Sequence, residues 1–269
     1  MKIRFWGTRG SIPAPAHNTV EFGGNTSCVE IILKGGDSII LDAGTGIRPL
    51  GIDYLSRNGA PRTLHLMISH VHWDHIQGFP FFLPAYHPDF TIHIYSHLNM
   101  QKTLSYQMTP PFFPVTLDEM KSNKIFHTLN FGAKFKVAGA TVRTHELNHP
   151  QKVSGYRIEE DGKAIIYSTD TEPAGGSHPG TLETFVKGAD LMLFDAQYTP
   201  QEYIQGKVGW GHSTYSDALL LAKAAGVKKL VLYHHDPTHD DDFIRKLEEK
   251  AKGDFPDTVA AREGMIIEI

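Results

Sequence analysis

Ser69-His70-Val71-His72-Trp73-Asp74-His75 sets three imidazoles and one carboxylate within six positions. Imidazole and carboxylate are the ligands that suit borderline metals such as zinc, manganese or iron. The stretch follows Leu64-His65-Leu66-Met67-Ile68, an apolar run short enough to be a buried strand. Chain that leaves a strand end in a tight turn can aim all four side chains into one space. A lone histidine is more often a packed or surface residue than a ligand. Four ligand types at this spacing point to a metal site.

The rest of the chain repeats the device of a strand that ends in a ligand type. Residues 140–147 read as a further strand and deliver Asn148-His149-Pro150. Residues 154–159 and 164–167 read as a hairpin around Glu160-Asp161-Gly162, and the second strand delivers Ser168-Thr169-Asp170-Thr171. Residues 191–194 read as a buried strand ending in Asp195-Ala196-Gln197-Tyr198. Residues 230–233 lead to His234-His235, either of which can serve as a ligand by inspection. Neighbouring strands lie only about 5 Å apart, so polar residues dropped at one sheet edge share a site. Asp42 ends the strand 38–41 ahead of Ala43-Gly44-Thr45-Gly46, a place where aspartate often caps the next turn.

Further strands are expected over 2–7, 28–33, 91–95, 124–129, 135–137 and 264–269, and helices over about 47–58, 218–225 and 240–252, with Ser213 or Thr214 as an N-cap. Phe79-Pro80-Phe81-Phe82-Leu83-Pro84 and residues 106–114 are dense in proline and aromatics, which forbids regular helix or central strand there. That segment reads either as a satellite core under a long connection or as a lid or subunit contact beside the metals. The alternation of strands and helices makes the chain α/β, with no linker to divide residues 1–269.

Composition is that of a globular protein, 41% hydrophobic and 21% charged. No apolar run approaches the roughly 20 residues of a membrane span, and the N-terminus lacks the pattern of a signal peptide. The single cysteine, Cys28, excludes an internal disulfide and fits a reducing cytoplasm. A net charge of −4 gives no general attraction to long nucleic acids. Of 16 histidines, His17, His65, His87, His93, His97, His127, His145, His178, His235 and His239 lack a clear motif role and read as surface or packing residues.

The His-x-His-x-Asp-His spacing resembles the signature of the metallo-β-lactamase superfamily. The resemblance implies a four-layer αββα sandwich over nearly the whole chain and a cytoplasmic hydrolase with two divalent ions, zinc first, manganese or iron otherwise. It implies His70, His72 and His149 on one ion, Asp74, His75 and His234 on the other, and Asp170 between them. Asp74 also belongs to the catalytic centre, and Asp42 lies beneath the ligands and orients their loop. Two ions sharing a hydroxide would clamp both oxygens of an in-line displacement.

Gly211-His212-Ser213-Thr214, then a helix, then the strand before His234, resembles the phosphodiesterase branch, which includes ribonuclease Z and cyclic nucleotide phosphodiesterases. Gly7-Thr8-Arg9-Gly10 and Asn25-Thr26-Ser27 resemble that branch too. His212 is then the group beside the scissile phosphate, donating a proton to the leaving oxygen or stabilising charge. Bacterial ribonuclease Z enzymes carry a long tRNA-gripping arm between the bridging aspartate and the late histidine. Here residues 171–191 are short, with Pro173-Ala174-Gly175-Gly176 and no basic cluster. A small nucleotide or cyclic nucleotide phosphodiester is therefore the expected substrate, with Arg9, Asn25, Gln197, Tyr198 and Trp210 as its wall. Alternatives are a lactone, thioester or β-lactam hydrolase and a tRNA 3′ processing endonuclease. Family likeness also gives a homodimer as an expectation.

Overall fold

A computed structural model describes residues 1–174 and 180–269; Gly175, Gly176 and His178 lie outside the described residues. The strands are β1 (Lys2–Gly7), β2 (Cys28–Ile32), β3 (Ser38–Leu41), β4 (Thr63–Met67), β5 (Thr91–Ser96), β6 (Asn123–Thr128), β7 (Lys134–Val137), β8 (Ala140–Leu147), β9 (Val153–Glu160), β10 (Lys163–Ser168), β11 (Leu191–Asp195), β12 (Leu230–Tyr233), β13 (Thr258–Ala260) and β14 (Ile266–Glu268). The helices are α1 (Ile47–Ser56), α2 (Trp73–Ile76), α3 (Met100–Gln107), α4 (Gly180–Val186), α5 (Pro200–Ile204), α6 (Tyr215–Ala224) and α7 (Asp241–Asp254). One seven-stranded sheet runs β14-β1-β2-β3-β4-β5-β6 and the other β13-β12-β11-β10-β9-β8-β7. In each, an antiparallel half gives way to parallel strands, β3 to β6 in the first sheet and β10 to β13 in the second.

Strand alternation builds the layers. On β4, Leu64 and Leu66 point outward to the core under α1 and α3, while Met67 joins the core between the sheets. On β11, Leu191 and Leu193 enter the inter-sheet core, and Met192 and Phe194 meet the core under α4, α6 and α7. Two buried faces per strand explain why these runs are mostly apolar rather than strictly alternating. The result is the αββα sandwich.

Differences from the expected elements have local causes. Tyr106 and Gln107 belong to α3, not to an irregular proline-rich run; the helix begins after Asn99, whose side chain accepts the Lys102 N–H, and ends before Pro110. The prolines at 80 and 84 instead sit in single 3₁₀ turns at Phe79–Phe81 and Leu83–Tyr86. Thr214, rather than Ser213, caps α6, in a reciprocal box with Asp217. The short α4, α5 and β13 carried no clear periodic signal.

Parallel strands share a direction, so β3, β4, β10, β11 and β12 all end at one edge of the sandwich. The chain turns sharply there. Asp42, Asp170 and His234 each follow a strand end with positive φ (61°, 56° and 64°), as does Ser11 (65°) in the loop after β1. Non-glycine residues in that region store about 1–3 kcal/mol of strain each, and such strain clusters at functional sites. No helix among the described residues is long and apolar enough to cross a membrane.

Candidate metal centre

Two groups of donor atoms meet at this edge. His70, His72, His149 and Asp170 form one, and Asp74, His75 and His234 the other, with ligand atoms in each within 4.8 Å of one another. Asp170 reaches both groups, 3.6 Å from His70 Nε2 and 3.4 Å from His234 Nε2. His235 turns away, donating from Nε2 to the Ala261 carbonyl at 2.9 Å, so His234 is the member of the pair in the cluster.

The far side of the His70, His75, His149 and His234 rings is held by an acceptor. His75 Nδ1 donates to Asp42 Oδ2 (2.7 Å), His149 Nδ1 to the Gly211 carbonyl (2.8 Å) and His234 Nδ1 to Gln197 Oε1 (3.0 Å). Ser69 Oγ gives its hydrogen to Asp42 Oδ2 and so takes the Nδ1–H of His70 at 3.1 Å. With the proton fixed on Nδ1, each of these four rings in its neutral form presents the Nε2 lone pair inward, the tautomer a metal ligand needs. His70 Nε2 is buried without a hydrogen-bond partner. His72 Nδ1 and His149 Nε2 lie 3.3 Å apart. Burial pushes His70, His72 and His149 below the usual imidazole range, which keeps them neutral. Burial also disfavours the His75 imidazolium, but Asp170, Asp74 and Asp42 outweigh it and hold the group well above its ordinary value. Buried carboxylates require compensating positive charge. Divalent cations fit this donor set as that charge.

Asp42 is the hub beneath the cluster. It is fully buried and accepts from the Ser69 N–H and hydroxyl, from His75 and from the Tyr167 hydroxyl. Two glycines make room for the ligands. A Cβ on Gly10 would lie 2.5 Å from the His234 ring, and one on Gly211 would lie 2.1 Å from His149 Nδ1.

His212 stands beside both groups. Its Nδ1 is 2.8 Å from Asp195 Oδ2, and its ring stacks on His234 at 5.1 Å. Burial works against the His212 imidazolium, but the Asp195 carboxylate outweighs it and raises the group to about 9. The cleft over the cluster, about 400 Å³, is lined by Ser11, Val71, His72, Trp73, Asp74, Asp170 and His212.

Each residue expected in the substrate wall has a definite place in this geometry. Arg9 is fully buried and donates to the carbonyls of Gly23, Asp236 and His239, so it braces the loop from behind. Asn25 is tied to Glu263 at 2.8 Å. Gln197 holds His234, and Tyr198 is buried edge-on to His212. Trp210 stands under Lys207 on the approach to Gly211, outside the cleft lining. Gln107, at the end of α3, donates from Nε2 to the Ile76 carbonyl at the end of α2. In the proline-rich segment, Phe79 and Phe82 are core, and Phe112 is exposed.

Three contributors escaped sequence reading. Ser11 donates its N–H to Asp74 Oδ2 at 2.7 Å. Asp195 orients His212, and its place at a strand end was the signal that marked it. Glu172 accepts from the N–H groups of Gly209 and Gly211 and from the Tyr203 hydroxyl, fixing the loop that carries His212; nothing local announced it.

The family profile described as beta-lactamase superfamily domain matches residues 38–235. The chain belongs to this superfamily. This superfamily member is 23% identical to a ribonuclease Z of Archaeoglobus fulgidus over 100% of this chain and 97% of that protein. It is 33% identical to the ribonuclease Z of Gemmatimonas aurantiaca, but over 40% of this chain, and the match spans only 32% of that relative's length. The human tRNase Z short form superposes with a TM-score of 0.72 at 20% identity, covering 100% of this chain and 99% of that one. The superfamily member is thus a metallo-β-lactamase-fold hydrolase with a candidate divalent-metal centre.

Proposed function

We propose that the protein is a dinuclear metal-dependent phosphodiesterase acting on small nucleotide or cyclic nucleotide phosphodiesters. The observation that carries this reading is the Asp195–His212 pair in the cleft wall beside the two ligand groups. His70, His72 and His149 would hold one ion, Asp74, His75 and His234 the other, and Asp170 both. Such a pair of ions activates water and neutralises charge on a phosphoryl group. Around them the chain's own residues set the tautomers and place a proton. With Nδ1–H bound to Asp195, a protonated His212 carries its second N–H on Nε2, free for a leaving oxygen. A ribose alkoxide is a poor leaving group, so an acid at this point has a clear use. A thioester expels a thiolate, a far better leaving group, and has less need of it, which disfavours that substrate.

Small substrates are supported by the lining, which contains no lysine or arginine, and by the net charge of −4. A tRNA 3′ processing activity is the second reading, favoured by the whole-length likeness to ribonuclease Z.

His212 also lies within ligand distance of Asp170 and His234. His212→Ala therefore tests the role. As an acid, it should leave two ions bound while kcat/KM on a cyclic nucleotide falls by about 10²–10⁴. The loss should shrink on bis(p-nitrophenyl) phosphate, whose leaving group needs little protonation. Loss of an ion would make His212 a ligand. Intact turnover of every phosphodiester, beside hydrolysis of a lactone or thioester, would overturn the reading. Faster cleavage of a tRNA precursor than of any nucleotide would promote the second.

A further inference from the structure

Trp73 stands between the ligand residues His72 and Asp74, at the start of α2, and its side chain is the exception among the three tryptophans. Trp6 is buried, bonded to Glu30 and covered by Arg4. Trp210 lies under the Lys207 ammonium at 4.0 Å. Trp73 is 81% exposed, and its indole has no hydrogen bond or ring contact among the described residues. It lines the same cleft as Asp74, Asp170 and His212. The other lining residues offer no aromatic carbocycle; Ser11 and Val71 are small and the rest are ligand types or His212.

The backbone under this indole is fixed. Its carbonyl accepts the Gln77 N–H at 2.7 Å, and the next residue, Asp74, is held by the Ser11 N–H. A rigidly mounted aromatic side chain has only two torsions to order, so it binds a flat partner at low entropic cost. Its partner must reach the ligand cluster with a group that divalent cations favour, and lie flat on an indole a few ångströms away. A phosphate joined to a nucleoside meets both demands.

We infer that Trp73 is the stacking platform for the nucleobase of the substrate, a base subsite beside the metal centre. This rests on the phosphodiesterase reading for the phosphate and adds the group that is recognised. Stacking is tolerant of base identity because every base has a π-face. The subsite therefore separates nucleotides from base-free phosphate esters rather than one base from another.

The test is binding, read by isothermal titration calorimetry on the metal-loaded protein. AMP and ribose 5-phosphate share sugar and phosphate and differ by the base. Wild type should bind AMP more tightly. Trp73→Leu should weaken AMP by about 5- to 150-fold, the usual range for one stacked base, with little change for ribose 5-phosphate. Trp73→Phe should retain most of the preference. Equal affinity of wild type for the two ligands, no measurable AMP binding, or equal losses on both in Trp73→Leu would each overturn the inference. A protein that prefers AMP through Trp73 yet hydrolyses no phosphodiester keeps the base subsite and refutes the proposed reaction. One that hydrolyses phosphodiesters without any preference for AMP refutes the subsite alone.

Discussion

Asp42 shows how much of a metal centre can rest on a residue that faces no substrate. Its carboxylate is the shared acceptor for Ser69, His75 and Tyr167. Asp42→Ala would leave those donors buried and unpaired, at an expected cost of about 3–5 kcal/mol in unfolding free energy. Metal affinity should fall about 10–100-fold, as when an outer partner of a ligand is lost. Thermal unfolding and a metal titration check both, and unchanged values in both would contradict the role. Gly211→Ala is the steric counterpart. At φ 88° a Cβ is strained and collides with His149. The backbone term alone should cost about 1–2 kcal/mol, with weaker binding at the His149 ion in the same titration. The candidate ligands were legible because they are contiguous or sit at strand ends, where residue type and position agree. Asp42 was legible as a partner only through the family resemblance, since a capping aspartate looks the same in sequence. An arginine in a glycine loop suggests an anion, whereas in the fold Nε and Nη1 of Arg9 donate to three carbonyls.

At the scale of elements, strands proved readable and short helices did not. A strand buried on two faces is mostly apolar, and β4, β11 and β12 declare themselves that way. Helices α4 and α5 have seven and five residues, too few for a period of 3.6 to stand out. Neighbouring parallel strands also produce a feature that separate motifs do not reveal. His65 on β4 stacks on His93 of β5 at 5.2 Å, and His93 Nδ1 lies 2.9 Å from His127 Nε2 on β6. Burial, then the nearby His93, lowers His65 to about 4. The unfolded chain, with an ordinary value near 6.5, binds more protons than the folded one across that interval. The contribution of a neutral His65 is thus complete above about 6.5 and is lost as pH falls toward 4. The Tm should drop over that window, and His65→Phe should flatten the drop. An equal slope in wild type and variant would show that other groups set it.

The whole molecule is two sheets that bring their parallel strand ends to one edge, so ligands 164 residues apart in sequence, His70 and His234, meet in one cluster. The α/β class followed from the alternation of strands and helices; the four-layer order and the pairing of the two sheets came through the family resemblance, because inter-sheet contact leaves no local periodic trace. Everything proposed for function depends on that cluster holding two ions that take part in hydrolysis. The direct measurement is to strip the full chain with a chelator and titrate zinc or manganese back while following hydrolysis of a phosphodiester. Activity should be absent without metal and rise to a plateau at two ions per chain. Undiminished hydrolysis by the stripped protein, or a plateau reached at a single ion, would contradict the account.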